Sequence, residues 1–549
     1  MAQSIKWWES GIIYHIYPRS FQDSNGDGIG DLNGIAQRLG YLKWLGADAI
    51  WLSPVYPSPM ADFGYDVSDH CDIDPIFGTL ADMDRLIEET HRHDLRIILD
   101  FVPNHTSIEH PWFIESRSSR DNPKRDWYYW KDPAEDGGPP NNWLSRFDGE
   151  SAWEWDEKTG QYFLHTFLVE QPDLNWRNPE VREAMLDILR FWFDRGVDGF
   201  RVDVSYRVMK DPEFRDNPPN PDWKPGMDRS FQVIEKHTKN TPDIHKFNRW
   251  IRQTCDEYDN RVTIGEMNLK IPELAKHYGT VEKPEFHLPF NFRLIFSDWE
   301  PENVKDLVDQ FEKHVPEHGW PNWVLSNHDQ PRFATRAGSE QARNGLLFLL
   351  TVRGTPTIYY GDELAMQSVD IPPDRVQDPW ELLSPGLGLG RDPVRTPMRW
   401  DASKHAGFCK ETVEPWLPAG DGSEYQNVEI QKKESQSTLN FVNKVIQLRR
   451  NHPALATGTC ETLDLNSSVL SYIRRDKETD ETFLIALNFS DQPQSVDIRT
   501  ALSELFPDTA GIPSLTTCLI STEMDNETGY NEESGTLNLR PNEGVVLGE

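Results

Sequence analysis

GVDGFRVDVS, residues 196–205, is a short apolar segment that ends in polar residues. The same pattern occurs in AIWLSPVYP (49–57), RIILDFVPNH (96–105), RVTIGEMN (261–268), NWVLSNHDQ (322–330) and TPTIYYGDE (355–363). Apolar runs of this length are typical of buried parallel strands. Helix-like stretches separate them, such as 79–94 and 178–196; the latter opens with Asn-Pro and closes with Gly. The alternation predicts an α/β fold built on a parallel (β/α)8 TIM barrel.

Two regions interrupt this alternation. Residues 104–173 are rich in Trp, Pro, Asp and Gly and predict an inserted domain B after the third strand. From 459 onward, alternating segments split by turn residues predict a C-terminal antiparallel β-sandwich domain. The predicted barrel therefore comprises residues 1–103 and 174–458, and the C-terminal domain 459–549. Within the barrel, the Pro- and Gly-rich residues 365–435 predict a long excursion near its top.

Charge and cysteine content restrict the partners. Among 549 residues, 90 Asp and Glu outnumber 56 Lys and Arg, for a net charge of −34. Such a surface repels phosphate backbones and anionic membranes, so we expect neither nucleic acid nor membrane as a partner. No apolar leader or spanning segment is evident, which favours a cytoplasmic protein. The five cysteines are scattered and show no CxxC spacing, which argues against a disulfide framework or a zinc site.

Three carboxylates, Asp203, Glu266 and Asp329, lie within or just after predicted strands. In a parallel barrel, the carboxyl ends of the strands surround the active site. A buried carboxylate is costly unless it is paired or functional. Any one of the three could be a structural acid, but three such acids beside Arg or His favour a functional site.

The neighbours of these acids suggest different roles. Arg201 and Asp203 are two residues apart on a strand and point to the same face. The guanidinium predicts a lowered pKa for Asp203, as a nucleophile needs. Glu266 has no basic residue within four positions, which favours a raised pKa and a proton-donor role. Contrasting carboxylates are typical of acid and nucleophile pairs, which retaining glycosidases hold about 5–5.5 Å apart.

Several motifs resemble the α-amylase family of glycoside hydrolases. They are, in order, DFVPNH (100–105), GFRVDV (199–204), IGEM (264–267) and LSNHDQPR (325–332). QPDLNW (171–176) and the N-terminal segment 11–35 resemble its oligo-1,6-glucosidase branch. The family's fold is a barrel with an inserted domain B and a C-terminal β domain. Members of the oligo-1,6-glucosidase branch act on small neutral α-glucosides and need no cofactor for the reaction.

The resemblance implies a role for each acid. Asp203 would be the nucleophile that forms a β-glucosyl-enzyme, and Glu266 the general acid and base. Asp329 would bind the distorted sugar ring and stabilise the oxocarbenium-like transition state. Three further residues would orient these groups and bind hydroxyls: His105, Arg201 and His328. His328 taken alone could also be a packed structural histidine.

Two other motifs concern the far end of the pocket. DFGYDVSDH (62–70) implies that Tyr65 stacks under the terminal glucose and that Asp62 binds its outer hydroxyls. VRTPMRWD (394–401) implies that Arg395 pairs with Asp62 and closes the pocket. A closed end favours release of one glucose at a time from the non-reducing end. A loop salt bridge is the alternative for Arg395.

A loop near the N-terminus has alternating oxygen residues. DSNGDGIGD (23–31) offers Asp23, Asn25, Asp27, the Ile29 carbonyl and Asp31, which match the first half of an EF-hand loop. The twelfth position is Gly34, so the bidentate Glu is missing. The resemblance implies a structural Ca²⁺ or Mg²⁺ site, and a Gly/Asp turn that binds nothing is the alternative.

The sequence leaves open which glycosidic linkage is cleaved and whether water or a sugar accepts the glucosyl group. Val204, directly after Asp203, is similar to the α-1,6-tolerant type of this branch, whereas Thr or Ala there marks the α-1,4 type. Maltose-type, isomaltose-type and sucrose substrates are all compatible. The segment HLPFNFRL (287–294) differs from the sequence that is usual in this branch. No RLDRD-like segment follows Asp329, which argues against a sucrose isomerase. The alternatives to an α-glucosidase are a transglucosylase on the same scaffold and a non-catalytic, transport-associated sugar-binding relative.

Overall fold

The computed structural model describes residues 5–506, 515–525, 527 and 529–548; the other residues of the predicted domains lie outside the described ranges. Eight parallel strands, numbered here in chain order, form a barrel. They are Ile13–Ile16, Ala49–Leu52, Arg96–Phe101, Gly199–Val202, Val262–Met267, Leu288–Asn291, Asn322–Val324 and Thr355–Tyr359. The backbone pairing runs 7-8-1-2-3-4-5-6. Side-chain hydrogen bonds of Asn322 to Asn291 and Pro289 join strands 6 and 7, which confirms the predicted barrel.

A helix follows each barrel strand. These helices are Leu32–Leu45, Leu80–Arg92, Pro179–Asp194, Ile244–Cys255, Ile271–Leu274, Pro301–His314, Ala342–Thr351 and Thr438–Asn451. Thr79 and Asp82 form a capping box at the second helix, and Asn178 caps the third, with Pro179 at its first position. Shorter helices lie at Trp7–Ser10, Pro18–Phe21, Pro111–Ser116, Arg293–Phe296, Phe333–Arg336, Pro379–Leu383, Val428–Lys433 and Pro453–Ala456.

The barrel has two apolar layers because side chains alternate between the faces of a strand. Inward-facing residues fill the interior, among them Trp51, Ile98, Ile264, Phe290 and Val324. Outward-facing residues pack against the helices and form the largest cluster of the molecule. Within the described ranges, no helix combines the length and the apolar character that crossing a bilayer requires.

The inserted domain leaves and rejoins the barrel at one point. An isolated bridge pairs His105 with Asp173, so the chain enters and returns side by side. Between them lies a three-stranded antiparallel sheet of Trp130–Lys131, Trp153–Asp156 and Gln161–Leu164. A small aromatic core that includes Tyr129, Trp143 and Trp153 holds this sheet together.

The C-terminal domain contains two antiparallel sheets. Five strands form the first: Thr459–Asn466, Val469–Arg475, Thr482–Asn488, Thr517–Ser521 and Gly544–Gly548. Three form the second: Gln494–Asp497, Tyr530–Asn531 and Thr536–Leu539, and the helix Ile498–Leu505 follows the first of these. Leu484 and Val545 of one sheet share a buried core with Val496 and Leu537 of the other, as predicted for an antiparallel β domain.

Each of the six predicted strand segments contains a barrel strand, but the strands end at different points relative to the polar residues. Asp100, Arg201 and Glu266 lie within strands 3, 4 and 5, whereas Asp203 and Asp329 follow the ends of strands 4 and 7. In 322–330, for example, only Asn322–Val324 is strand. The polar residues therefore lie either near the last residue of a strand or on the loop that follows it, at the carboxyl end of the barrel. Strands 1 and 6 were not among the six segments. Pro289 interrupts the apolar pattern of strand 6.

Candidate active site

A cavity of about 320 Å³ opens at the carboxyl ends of the barrel strands. The predicted acids Asp203, Glu266 and Asp329 all line it. Four of the predicted substrate-binding residues line it too, namely Asp62, Tyr65, His105 and His328. Arg201 and Arg395 do not reach the surface of the cavity, and their exposed fractions are 1% and 0%. They lie behind the wall and act on the acids that form it.

Arg201 connects acids from three adjacent strands. One terminal nitrogen, Nη1, lies 2.8 Å from Asp203 Oδ1 and 2.8 Å from Asp100 Oδ1. The other, Nη2, donates to Glu266 Oε2. The strand register that pairs Val202 with Gly265 places Asp203 beside Glu266. The prediction that Glu266 lies away from basic groups is therefore wrong, because its basic neighbour is on the next strand.

The electrostatics of Asp203 also differ from the prediction. Burial raises the pKa of the Asp203 carboxyl well above its ordinary value; Arg201 lowers it, and the charges of Glu266 and Asp100 raise it further. Burial likewise raises the pKa of Asp100 to about 7, against the opposing effect of Arg201. The predicted lowering for Asp203 is wrong, since one guanidinium serves three buried carboxylates. Asp203 and Asp100 therefore each retain a proton more readily than an isolated aspartate would.

Backbone geometry holds Glu266 in place. The Val204 N–H donates to Glu266 Oε2 over 2.9 Å, and the Ser205 hydroxyl donates to the Glu266 carbonyl over 2.7 Å. Val204 has φ of +35°, in the left-handed region that β-branched residues rarely adopt. Such strain persists only where the surroundings enforce it, and it is common at active sites. The strained turn directs the Val204 amide toward the acid.

The far end of the cavity is closed by an ion pair that the sequence did not reveal. Arg391 Nη2 lies 2.7 Å from Asp62 Oδ1 and 2.6 Å from Asp378 Oδ1. Gln171 donates to the other Asp62 oxygen over 3.2 Å. Arg391 and Asp378 belong to the predicted 365–435 excursion. No sequence signal singled them out, although Arg391 lies four residues before the motif residue Arg395.

The predicted pair between Asp62 and Arg395 is wrong. Arg395 donates through Nε to the His328 carbonyl over 2.8 Å and through Nη2 to Asp329 Oδ1 over 3.1 Å. Arg391 and Arg395 flank a single turn of 3₁₀-helix, Asp392–Val394, and both approach Asp329 Oδ1, at 3.7 and 3.1 Å, but Arg391 is the one that also contacts Asp62. Arg395 is therefore a support for Asp329.

Two histidines and a tyrosine form one wall. The Tyr65 ring stacks on His328 with centroids 5.5 Å apart, and its hydroxyl lies 2.9 Å from His328 Nε2. His105 Nε2 lies 3.1 Å from the Tyr65 carbonyl and 3.1 Å from Gln171 Nε2. Burial lowers the pKa of His328 and of His105, so both imidazoles are neutral at neutral pH. Neutral imidazoles can hydrogen-bond sugar hydroxyls without adding charge to the site.

The remaining wall was not predicted. Aromatic side chains line it, namely Phe147, Phe167, Phe231, Phe296 and Trp380. Charged residues lie beside them: Arg146, Arg207, Asp228, Glu235 and Lys239. Arg146 comes from the inserted domain, and the other four from the segment between barrel strand 4 and its helix. Long loops such as these have no periodic pattern from which a wall could be inferred.

Comparisons with known proteins identify the family of this chain. The family model "Alpha amylase, catalytic domain" matches residues 15–458. The chain belongs to the α-amylase family of glycoside hydrolases. A probable α-glucosidase of Rhizobium meliloti is 42% identical over 507 residues, which cover 90% of this chain and 91% of that protein. An oligo-1,6-glucosidase of Parageobacillus thermoglucosidasius is 40% identical and covers 88% and 91%.

Solved structures of related enzymes share the whole architecture. The α-glucosyl transfer enzyme XgtA is 38% identical, with a TM-score of 0.90 and complete coverage of both chains. The trehalulose synthase MutB of Pseudomonas mesoacidophila MX-45 is 33% identical, with a TM-score of 0.89 and the same coverage. The predicted barrel, inserted domain and C-terminal β domain of the α-amylase family are thus confirmed.

The predicted metal loop of this family member forms a compact turn. The Asp23 carboxylate accepts hydrogen bonds from the backbone amides of Gly26 and Gly28, the latter over 3.0 Å. Asp31 caps the first barrel helix by accepting from the Gly34 amide over 2.7 Å. The carboxylates of Asp23, Asp27 and Asp31 are not all within 4.8 Å of one another in the described chain. An ion would therefore need the Asn25 side chain and the Ile29 carbonyl as well, and its presence stays a prediction.

Proposed function

We propose that this chain is a retaining, exo-acting α-glucosidase that releases α-glucose from the non-reducing end of short α-glucosides. The observation that carries this proposal is the shared contact of Arg201 with Asp203 and Glu266, two acids on adjacent strands that face one cavity. Because both carboxylates contact the same guanidinium, the arrangement supports action of both groups on one anomeric carbon, as retaining glycosidases require.

The first step forms a covalent intermediate. Asp203 attacks the anomeric carbon while Glu266 donates its proton to the glycosidic oxygen, and the aglycone departs as an alcohol. In the second step the Glu266 carboxylate takes a proton from water, the water oxygen attacks the anomeric carbon, and Asp203 leaves as a carboxylate. Two inversions give net retention. Asp329, supported by Arg395, stabilises the positive charge of the transition state.

The Asp62–Arg391 pair sets the mode of attack. Both residues are buried, with exposed fractions of 4% and 5%, and they line the cavity at the end that Tyr65 and His105 share. A pocket that ends in an ion pair has no room for a longer chain beyond the terminal glucose. Charged partners there also bind the outer hydroxyls through strong hydrogen bonds. The geometry supports cleavage of one glucose at a time.

Substrates of the maltose, isomaltose and sucrose type are all candidates. Val204 contacts the reacting centre through its amide, and its side chain lines the cavity. One such side chain changes the choice between substrates by about 1–3 kcal/mol. The similar proteins named above include an oligo-1,6-glucosidase and a probable α-glucosidase, so the relatives are compatible with more than one linkage.

The test is a panel of maltose, isomaltose, kojibiose, nigerose, trehalose and sucrose, with the anomer of the first-formed glucose followed by NMR. First-formed α-glucose is the expected result, and first-formed β-glucose would contradict the two-step mechanism. The Asp203→Asn and Glu266→Gln variants should each abolish release of glucose from p-nitrophenyl α-glucoside. Activity retained in Asp203→Asn would show that another group is the nucleophile.

Transglucosylation is the second candidate. A sugar hydroxyl can take the place of water in the second step with the same residues. The similarity to XgtA, described as an α-glucosyl transfer enzyme, favours keeping this alternative. The ratio of transfer products to free glucose at high maltose concentration separates the two functions.

A cytoplasmic location stays a prediction. All five cysteines are unpaired in the structure. Free thiols are typical of proteins in reducing compartments.

A further inference from the structure

The cavity wall beside Glu266 has an unusual concentration of cationic side chains. Arg146 of the inserted domain, with Arg207 and Lys239 of the segment after barrel strand 4, all line the cavity. Asp228 and Glu235 are the acids among them. We refer to these five residues as the cationic wall. Its formal charge is +1.

One pair in the cationic wall is internally neutral. Arg207 donates from Nη1 to Glu235 Oε1 over 2.6 Å and from Nη2 to Oε2 over 2.9 Å. This two-point geometry is the strong form of an arginine–carboxylate contact. Arg146 lies farther from the same carboxylate, with Nη1 3.9 Å from Glu235 Oε1. Glu235 therefore has its strong contact with Arg207 and a longer one with Arg146, whose Nη1 also donates to the Ser230 hydroxyl over 2.8 Å.

Lys239 has no such partner. In the described part of the chain, no carboxylate oxygen lies within 4.0 Å of its ammonium group. The nearest aromatic contact is the Tyr206 ring, whose centroid is 5.2 Å from Nζ. Burial lowers the pKa of Lys239 to about 8; the charges of Arg207, Arg146 and Arg293 act in the same direction, and the more distant Glu235 carboxylate opposes them. A desolvated ammonium among like charges is costly unless a ligand supplies the missing anion.

The position of the cationic wall indicates which part of a substrate meets it. The terminal glucose would occupy the end that Asp62 and Arg391 close. Glu266 protonates the glycosidic oxygen, so the aglycone lies on the far side of this acid. Tyr206 and Arg207 lie two and three residues after Val204, and the Val204 amide contacts Glu266. The wall therefore borders the space for the leaving group.

We propose that Lys239 and Arg146 bind an anionic group, a carboxylate or a phosphate, on the aglycone of the natural α-glucoside. This inference rests on the proposed function, because it requires an aglycone beyond Glu266. It would make the enzyme selective for acidic leaving groups, although the terminal glucose itself is neutral. Asp228, which accepts the Ser230 amide over 2.8 Å, limits the excess charge of the wall.

The experiment compares aglycones that differ in charge. Maltobionate carries a carboxylate on the aglycone, maltitol is its neutral counterpart, and maltose carrying phosphate at C6 of the reducing glucose supplies the other anion. For the wild-type enzyme we expect kcat/KM for one or both anionic substrates to exceed that for maltitol by on the order of tenfold. The preference should shrink at high salt because dissolved ions screen the long-range attraction that draws an anionic substrate toward the cavity. The substrate with the larger preference identifies the anion.

Variants locate the effect. Lys239→Gln should bring the anionic-to-neutral ratio of kcat/KM close to one, while Lys239→Arg should keep most of the preference. The matched control is Lys444→Gln, an exposed lysine on the helix Thr438–Asn451, which removes the same charge and should leave the ratio unchanged.

Two failures are distinguishable. A wild-type ratio near one, with efficient cleavage of maltitol, would overturn the anion site and leave the α-glucosidase in place. This comparison needs no variant, so it holds even if Lys239→Gln does not fold. Absence of cleavage of all three compounds, and of the six disaccharides above, would overturn the proposed function itself.

Discussion

Arg391 is buried between two carboxylates, 2.7 Å from Asp62 and 2.6 Å from Asp378. The guanidinium also lies 3.7 Å from Asp329, so it connects the closed end of the pocket to a catalytic acid. Arg395, which belongs to the family motif VRTPMRWD, has a different role, because it contacts Asp329 from outside the cavity. The two arginines are four residues apart, and their replacement should affect stability, kcat and KM in different ways.

Replacing Arg391 should damage both substrate binding and stability. In Arg391→Met, two buried carboxylates lose their partner, and we expect the free energy of unfolding to fall by about 3–5 kcal/mol. In Arg391→Lys a charge remains but the two-point contact is lost, and kcat/KM should fall roughly 100-fold. Denaturant unfolding and steady-state kinetics measure these effects. The control is Arg375→Lys, whose pair with Glu414 is largely exposed and worth about 0–1 kcal/mol. Equal effects of both lysine variants would contradict this role.

Arg395 should act on the chemical step through Asp329. Because Arg395 does not line the cavity, Arg395→Lys should lower kcat more than it raises KM. We expect a loss in kcat on the order of 100-fold, since Asp329 would no longer be held for the transition state. Steady-state kinetics with p-nitrophenyl α-glucoside gives both parameters. A change confined to KM would instead indicate that Arg395 binds substrate directly.

The pH dependence of kcat/KM should reflect the carboxylates that share the Arg201 guanidinium. Asp203 must be ionised to attack, and its raised pKa places the acidic limb of kcat/KM above the ordinary range of an aspartate. Asp100→Asn removes a negative charge that raises the pKa of Asp203, so the acidic limb should move to lower pH by about one unit. Asp362→Asn is the control, since burial raises the pKa of Asp362 to about 7 outside the cavity. A shift of the Asp100→Asn limb to higher pH would disprove this coupling.

Val204 should influence the linkage that the enzyme prefers. Val204→Thr keeps the branched side chain and adds a hydroxyl at the reacting centre. We expect the ratio of kcat/KM for isomaltose to that for maltose to fall by roughly tenfold, within the range for one side chain. The measurement is glucose release from each disaccharide under identical conditions. An unchanged ratio would mean that the loops of the wall, and not this position, set the linkage.

The loop of residues 23–31 should respond to divalent ions. If Ca²⁺ or Mg²⁺ binds there, adding the ion at 100 times its Kd should stabilise the fold by about 2.7 kcal/mol, and EDTA should reverse this. Thermal unfolding with and without each ion is the measurement. Asp27→Asn should weaken the response, because it removes a carboxylate that is exposed and does not cap the helix. Wild-type protein that shows no change with either ion would favour a turn that binds nothing.

Much of the architecture follows from local pattern. The apolar runs that end in Asp203, Glu266 and Asp329 indicated a barrel because parallel strands bury both faces and place their carboxyl ends together. Motif order then identified the family and brought the three acids into one cavity, which the structure contains. These features depend on residues that are neighbours in sequence or repeat at a strand–helix period, and a single chain displays both.

The tertiary structure decided which charges meet. Arg201 is two residues from Asp203 but also contacts Asp100 and Glu266, 101 and 65 positions away along the chain. Asp62 meets Arg391 across 329 residues, whereas Arg395, four residues farther along the chain, contacts Asp329 and the His328 carbonyl instead. Spacing along one strand cannot report these distances. Electrostatic energies depend on separation in space and on burial, which arise only when the strands and loops have closed around the cavity.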